Sequence, residues 1–372
     1  MRATRALVDL EAIASNSRLL KARAAGREIL PVVKADAYGH GAVPVARRLE
    51  AEGARRFAVA ILEEGIALRR GGICGEILIL VAADPEDAPL LRGYGLTPAV
   101  HDLEQARRLA RAAASFAAPL PVHVKLDTGM GRLGVRPEGV AELARILRGA
   151  KGLEVTGAFT QLASGEDTAA EPTASQLAAL SAGLATLSEA GLAPSTVHVA
   201  NSGGILAHPE ALFDCVRPGL ALYGVLPSDS LEDPGLAPAM QLETRVAAVK
   251  NVPAGTPLGY GGTFVTSRPS RIAALPIGYH DGFRRSFSGR AAVLLREKRA
   301  PVVGVVSMDL TLVDATESGA DTGDRVVLMG RMGPEAVTAW ELARAAGTIP
   351  WEILCGVGAR VPRVYAGPGA AD

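Results

Sequence analysis

Aromatic side chains are scarce, at 4% of the 372 residues, so the core must be packed with Leu, Val, Ile and Ala. An excess of charge of either sign is also missing: Lys+Arg and Asp+Glu are both 39, for a formal net charge of zero. A general nucleic-acid binder would carry a basic surplus, so no nucleic-acid partner is expected. Only three cysteines occur, Cys74, Cys215 and Cys355, far apart and in apolar stretches. That odd, scattered set fits reduced thiols better than a disulfide framework or a zinc site, and no metal is expected. No apolar run approaches the ~20 residues of a membrane-spanning helix. The opening MRATRALVDLEAIASN meets Asp9 before an apolar leader can form. It predicts no secretory signal, no membrane association and a cytoplasmic location.

Core-forming residues, by contrast, are plentiful. The 48% hydrophobic content argues against disorder, and a chain of this length suits two domains. Between residues 29 and 222, short β-branched runs alternate with Ala/Leu/Arg segments of helical period. The runs are ILPVV (29–33), FAVA (57–60), EILIL (76–80), LTPAV (96–100), VHVK (122–125), EVTGAF (154–159), TVHVA (196–200) and FDCVR (213–217). Helical candidates such as VPVARRLEAEG, DLEQARRLARAAA and TASQLAALSAGLATLSEAG lie between them, the last closed by Gly191. Eight successive βα units predict a parallel sheet closed into a TIM-type (β/α)8 barrel. A doubly wound open sheet competes but would normally use fewer strands.

From residue 235 onward the texture changes to short alternating strands separated by Gly, Pro, Asn and Asp turns, which predict a mainly β domain. One late helix is expected in EAVTAWELARAAG and a final strand near RVPRVY. The boundary is expected in the proline-rich PSDSLEDPGLAP, giving a barrel over 1–233 and a mostly β-strand domain over 234–372. The fold class is therefore α/β, an N-terminal TIM (β/α)8 barrel followed by a mainly β C-terminal domain.

Functional groups of such barrels gather at the C-terminal ends of the strands. The first predicted strand ends on Lys34, with Tyr38 close behind. The fifth ends on Lys125 and leads into LDTGMGRLG, which carries Arg132; the sixth is followed by Thr160 and Gln161. The seventh carries His198 and ends in Asn201-Ser202-Gly203-Gly204, and the eighth ends in Arg217-Pro218-Gly219-Leu220. Loops after the seventh and eighth strands form the usual phosphate site of this fold. Small residues, the Ser202 hydroxyl and a short helix starting near Gly203 all suit an anion there. A lysine at a strand end can simply snorkel, its stem buried and its ammonium in water. Beside a phosphate cradle, however, it suits pyridoxal 5'-phosphate, held by its phosphate and joined to Lys34 as an imine.

VVKADAYGHG, VKLDTGMGRLGVR, HVANSGG, VRPGLALYG, PLGYGGTF, LPIGYHDG, MDL and RVPRVY together resemble the alanine racemase family, in order and over nearly the whole chain. The resemblance implies a fold-type III enzyme that interconverts L- and D-alanine with pyridoxal phosphate and supplies D-alanine for peptidoglycan. It also implies a head-to-tail homodimer whose sites borrow residues from the partner's β domain. Lys34 and Tyr279 are then the two catalytic bases, Lys34 serving the D face and Tyr279 of the partner subunit the L face. Tyr38, Ser202, Gly219 and Leu220 match phosphate contacts. Arg217 matches the donor to the pyridine nitrogen, with His198 supporting it.

Because arginine only donates, that nitrogen can stay unprotonated, a weaker electron sink with fewer side reactions. Arg132 and the backbone N–H of Met308 match substrate-carboxylate contacts, and Lys125 matches a lysine that can be carbamylated. Two positions depart from the family. Gln161 stands where histidine is usual, and Ala359-Arg360 precede VPR where some members have a second tyrosine; Tyr365 is expected to be a plain strand residue. Competing readings are a broader small-amino-acid racemase, a decarboxylase of the same fold type and a non-catalytic pyridoxal phosphate-binding protein. Arg217 argues against the decarboxylase, and a β domain carrying Tyr279 and Met308 argues against the non-catalytic protein.

Overall fold

The structure, a computed structural model, describes residues 3–367. It divides into two compact units. One contains Ile13–Ala37 and Ala42–Ala237; the other gathers the N-terminal stretch through Ala12, Tyr38–Gly41 and the chain from Pro238 onward.

In the first unit every predicted run becomes a strand. After an N-terminal strand β1 (Arg5–Asp9), which belongs to the other unit, the eight are β2 (Glu28–Ile29), β3 (Arg56–Ile61), β4 (Glu76–Ala82), β5 (Leu96–Val100), β6 (Leu120–Lys125), β7 (Leu153–Phe159), β8 (Thr196–Asn201) and β9 (Cys215–Arg217). Their order is β2-β9-β8-β7-β6-β5-β4-β3, parallel throughout. Beyond β2, Val32 bridges Ala58 of β3. Val33 N–H donates to the Ala58 carbonyl (2.9 Å) and Ala58 N–H to that of Pro31 (2.8 Å), which closes the ring. The expected barrel is borne out, and the open sheet is not. Pro31 supplies no N–H, which accounts for the interruption between Ile29 and the bridge.

Helices wrap the barrel for local reasons. The helix Leu103–Ala113, for example, begins where the Asp102 carboxylate accepts from Gln105 N–H (2.8 Å), and it buries Ala106, Leu109 and Ala113. An N-cap of this kind contributes about 1 kcal/mol, and burial of Leu109 about 2 kcal/mol.

The second unit is built on a large mainly antiparallel sheet. β1 lies between β10 (Met240–Arg245), antiparallel, and the final strand Arg363–Ala366, parallel, so both ends of the chain share one sheet. The expected helix in EAVTAWELARAAG is shorter than its sequence period. Glu335–Val337 pairs as a strand with Arg325–Met332. Thr338 then caps the helix Ala339–Ala346, its hydroxyl accepting from Glu341 N–H (3.0 Å). Gly347, in a left-handed conformation, stops that helix, and Pro350 opens another, Pro350–Cys355.

Candidate active site

Lys34 follows the barrel-closing bridge and is half-buried. The chain after it turns left-handed: Ala35, Asp36, Ala37 and Tyr38 all have φ between 51° and 54°. Residues with a Cβ avoid this region at a cost of about 1–2 kcal/mol each, so the turn must be held from outside. Ala35 N–H donates to the Glu64 carboxylate (2.6 Å), which also receives Ala60 N–H (2.7 Å). Asp36 in turn accepts from Ala42 N–H (2.7 Å). The lysine is thereby carried on a rigid, strained corner.

Arg217, the last residue of β9, is buried. Its Nη1 donates to Nδ1 (2.8 Å) and the carbonyl (2.7 Å) of His198. Its Nη2 donates to the carbonyls of Thr160 (2.8 Å) and Val199 (3.0 Å) and to the Gln161 side-chain carbonyl (3.2 Å). Nε makes no hydrogen bond to the described residues. Burial brings the guanidinium down to about 10, still protonated near neutral pH. Burial, followed by Arg217, holds the His198 imidazole well below its ordinary value. Phe159 stacks on the His198 ring, with centroids 4.7 Å apart and planes 12° apart. Arg217 (5.4 Å) and Lys125 (5.6 Å) lie over the Phe159 ring.

Lys125 ends β6 and is buried. Burial, and then the positive charges of Arg132, Arg217 and Lys34, push its ammonium down to about 8. Arg132 itself is exposed on the loop after β6. Asp127 shapes that loop by accepting from Gly129 N–H (3.1 Å) and Gly131 N–H (3.0 Å). Four cations thus converge on the barrel mouth, an arrangement that favours a multiply charged anion.

Ser202 starts the helix Ser202–Ala207, with Asn201 as its cap. The Ser202 hydroxyl oxygen accepts from Gly219 N–H (2.9 Å) and Ala221 N–H (3.2 Å), which leaves its O–H to donate. Leu220, first in the 3-10 turn Leu220–Tyr223, has no intrahelical partner for its N–H. The glycines of NSGG have a packing role that an anion-cradle reading omits. A Cβ on Gly203 would lie 2.6 Å from the Gly165–Glu166 backbone, so glycine here admits the loop after β7.

In the second unit, Tyr38 is buried, and burial followed by the nearby Cys355 thiol pushes its phenol up. Tyr279 and Met308 are 42% and 51% exposed, high for side chains of their size. Their loops are joined by backbone hydrogen bonds, Tyr279 N–H to the Ser307 carbonyl (3.0 Å) and His280 N–H to that of Met308 (3.2 Å). A Cβ on Gly278 would come within 2.2 Å of the Ser307 carbonyl, so position 278 requires glycine. Buried Asp281 accepts from Gly278 N–H (3.1 Å) and from Arg360 Nε (2.6 Å). Tyr365 lies on the last strand with its hydroxyl against Gly41.

The barrel unit therefore brings Lys34, Lys125, Arg132, His198, Ser202, Arg217, Gly219 and Leu220 to strand ends and the loops that follow. Tyr38, Tyr279 and Met308 belong to the other unit. Glu64 and Phe159 support these residues without having been singled out by motif, and Arg360, the first residue of RVPRVY, supports the Tyr279 loop through Asp281. Glu64 could have been found as a capping carboxylate three residues into a helix; Phe159 gave no signal beyond ending a strand.

The family models described as "Alanine racemase, N-terminal domain" and "Alanine racemase, C-terminal domain" match residues 8–227 and 239–365. The alanine racemase of Symbiobacterium thermophilum is 45% identical over 372 residues, covering 100% of this chain and 99% of the relative. That of Carboxydothermus hydrogenoformans is 43% identical over 369 residues, covering 98% and 100%. The crystal structure of alanine racemase from D-cycloserine producing Streptomyces lavendulae matches with a TM-score of 0.95 at 37% identity, covering 99% of this chain and 98% of that one. The Bacillus anthracis alanine racemase structure with bound L-Ala-P gives 0.93 at 35% identity, covering 99% and 96%. With both halves matched by the family models and with relatives aligned along their full lengths, the chain belongs to the alanine racemase family.

Proposed function

We propose that the protein interconverts L- and D-alanine in the cytoplasm with pyridoxal 5'-phosphate, supplies D-alanine for peptidoglycan, and works as a homodimer with shared sites. The observation that carries the cofactor assignment is Arg217. Its Nη atoms are committed to carbonyls and His198, and its Nε makes no hydrogen bond to the described residues. A free donor on an otherwise buried side chain suits a ring nitrogen that only accepts. The Ser202 hydroxyl and the N–H of Leu220 suit the phosphate, and the converging cations suit the overall negative charge of cofactor and substrate carboxylate together, so the residues present fit the group.

Bound there, pyridoxal phosphate supplies the electron sink that makes the Cα–H of an amino acid acidic. Lys34 Nζ would hold it, with Tyr38, Ser202 and the backbone of Gly219 and Leu220 around its phosphate. Arg132, with the Met308 N–H of the partner subunit, would bind the substrate carboxylate. Lys34 Nζ, released when the substrate amine takes its place, would take or return the Cα proton on one face, and the phenol oxygen of Tyr279 of the partner subunit would do so on the other. Two bases on opposite faces invert the centre, whereas one base tends to return the proton where it was taken. The exposure of Tyr279 and Met308 supports their burial against a second copy.

Lys125 joins this scheme through its lowered ammonium. The neutral amine attacks carbon dioxide, a new N–C bond forms, and a proton leaves to solvent. The resulting carbamate is an anion able to steady Arg132.

The test is borohydride reduction of the purified holoenzyme, peptide mapping of the label, and an assay of alanine interconversion. The expected result is label on Lys34 and racemisation from either enantiomer. Label elsewhere, or no interconversion, would overturn the proposal.

A further inference from the structure

Behind Arg217 lies a line of buried polar groups that crosses the barrel. His198 Nε2 is 2.8 Å from His123 Nδ1, and His123 Nε2 lies 3.4 Å from the Glu76 carboxylate. Glu76 opens β4, His123 and His198 lie within β6 and β8, and Arg217 closes β9. The line therefore runs from the N-terminal face of the barrel to its mouth. Both histidines are buried, at 2% and 0% exposure, so neither can turn to water for a partner.

Donor-only chemistry at one end determines every proton along the line. Arginine has no acceptor, so His198 Nδ1 must carry the lone pair. A neutral imidazole has one N–H, which then sits on His198 Nε2 and points at His123 Nδ1. That nitrogen must accept, leaving the His123 proton on Nε2, facing Glu76. The opposite tautomer of His198 would set N–H against N–H at Arg217. The His123 ring also occupies a slot built for it, since a Cβ on Gly157 would lie 2.4 Å from the imidazole.

We propose that Glu76 and His123 are positioning residues for the racemase reaction, acting through His198 to hold Arg217 as a donor aimed at the cofactor. This rests on the function proposed above. Partners that orient metal-bound imidazoles typically change activity by about 10–100-fold when removed, and an effect of that order is expected for partners that orient the imidazole behind Arg217.

The test combines tautomer and kinetic readouts on the holoenzyme. Long-range nitrogen–proton NMR of histidine-labelled protein should show His123 and His198 both neutral with the proton on Nε2. A proton on Nδ1 of either ring, or a protonated ring, would overturn the proposal whatever the activity. His123→Leu should lower kcat by about 10–100-fold with little change in KM for alanine and a shifted cofactor absorbance. His123→Gln, whose carbonyl faces His198 and whose amide faces Glu76, should restore most of the loss. Should the leucine variant not fold, Glu76→Gln gives an independent reading, keeping an acceptor without the charge. It should lower kcat several-fold and shift the absorbance in the same direction. Identity with the wild type in both would remove Glu76 from the assignment. Correct tautomers in a protein that does not racemise would instead count against the proposed function and leave the proton line standing.

Discussion

At position 161 a glutamine accepts from Arg217 at 3.2 Å and has no proton to lose near neutral pH. It keeps the hydrogen bond and removes a titrating group from beside the guanidinium. Lys125 does the opposite, bringing a titration into the working range. Its pKa falls from 10.5 in an unperturbed side chain to about 8 in the fold. Between those values the unfolded chain holds a proton that the folded chain has released, so stability rises with pH across that window. The destabilising effect is complete below about 8 and absent above 10.5. Lys125→Gln should therefore flatten the climb in melting temperature between these limits, measured in carbon dioxide-free buffer. An unchanged slope would show that this ammonium is not the source.

At the scale of elements, the left-handed turn after Lys34 reverses a familiar rule. Glycine for alanine inside a right-handed helix costs about 1 kcal/mol. At Ala35, exposed with φ 51°, glycine relieves about 1–2 kcal/mol of backbone strain and loses about 0.5–1 kcal/mol through the freer unfolded chain. Ala35→Gly should then leave stability unchanged or raise it by up to about 1.5 kcal/mol, whereas Ala178→Gly on an exposed face of the helix Ala170–Glu189 should lower it by about 1 kcal/mol. Denaturant titration of both variants decides.

The same turn marks where local sequence runs out. The eight barrel strands were legible because β-branched runs and helical periods alternate, and the strand-end rule then located Lys34, Lys125, Ser202 and Arg217. Nothing in Ala-Asp-Ala-Tyr announces four left-handed residues. Their conformation is imposed by Glu64, almost thirty positions later. Phe159 and His123 were equally silent, because their meaning lies in register across β6, β7 and β8. The helical period of EAVTAWELARAAG overran a strand because glutamate and alanine suit helices, while the true start, the Thr338 cap, went unread.

For the whole molecule, the decisive question is whether one site draws on two chains. Lys34→Ala and Tyr279→Phe subunits should each be nearly inactive alone. Mixed, unfolded and refolded together in equal amounts, random pairing gives half mixed dimers with one intact site each, or about a quarter of wild-type activity. Recovery near zero would mean that both bases come from a single chain. The strand β1 also belongs to this scale: Arg5 pairs with Glu243 and Ala6 with Arg363, partners too distant in sequence for any local pattern to reveal. Where the barrel closes, the latch is a bridge at Val32 with two hydrogen bonds from Val33 and Ala58, and the residue after Val33 is Lys34. The clasp and the amine sit on successive residues, so any gaping of the cylinder at that joint would drag the lysine off its mark. The accuracy with which Lys34 is aimed is set by how firmly the barrel stays shut.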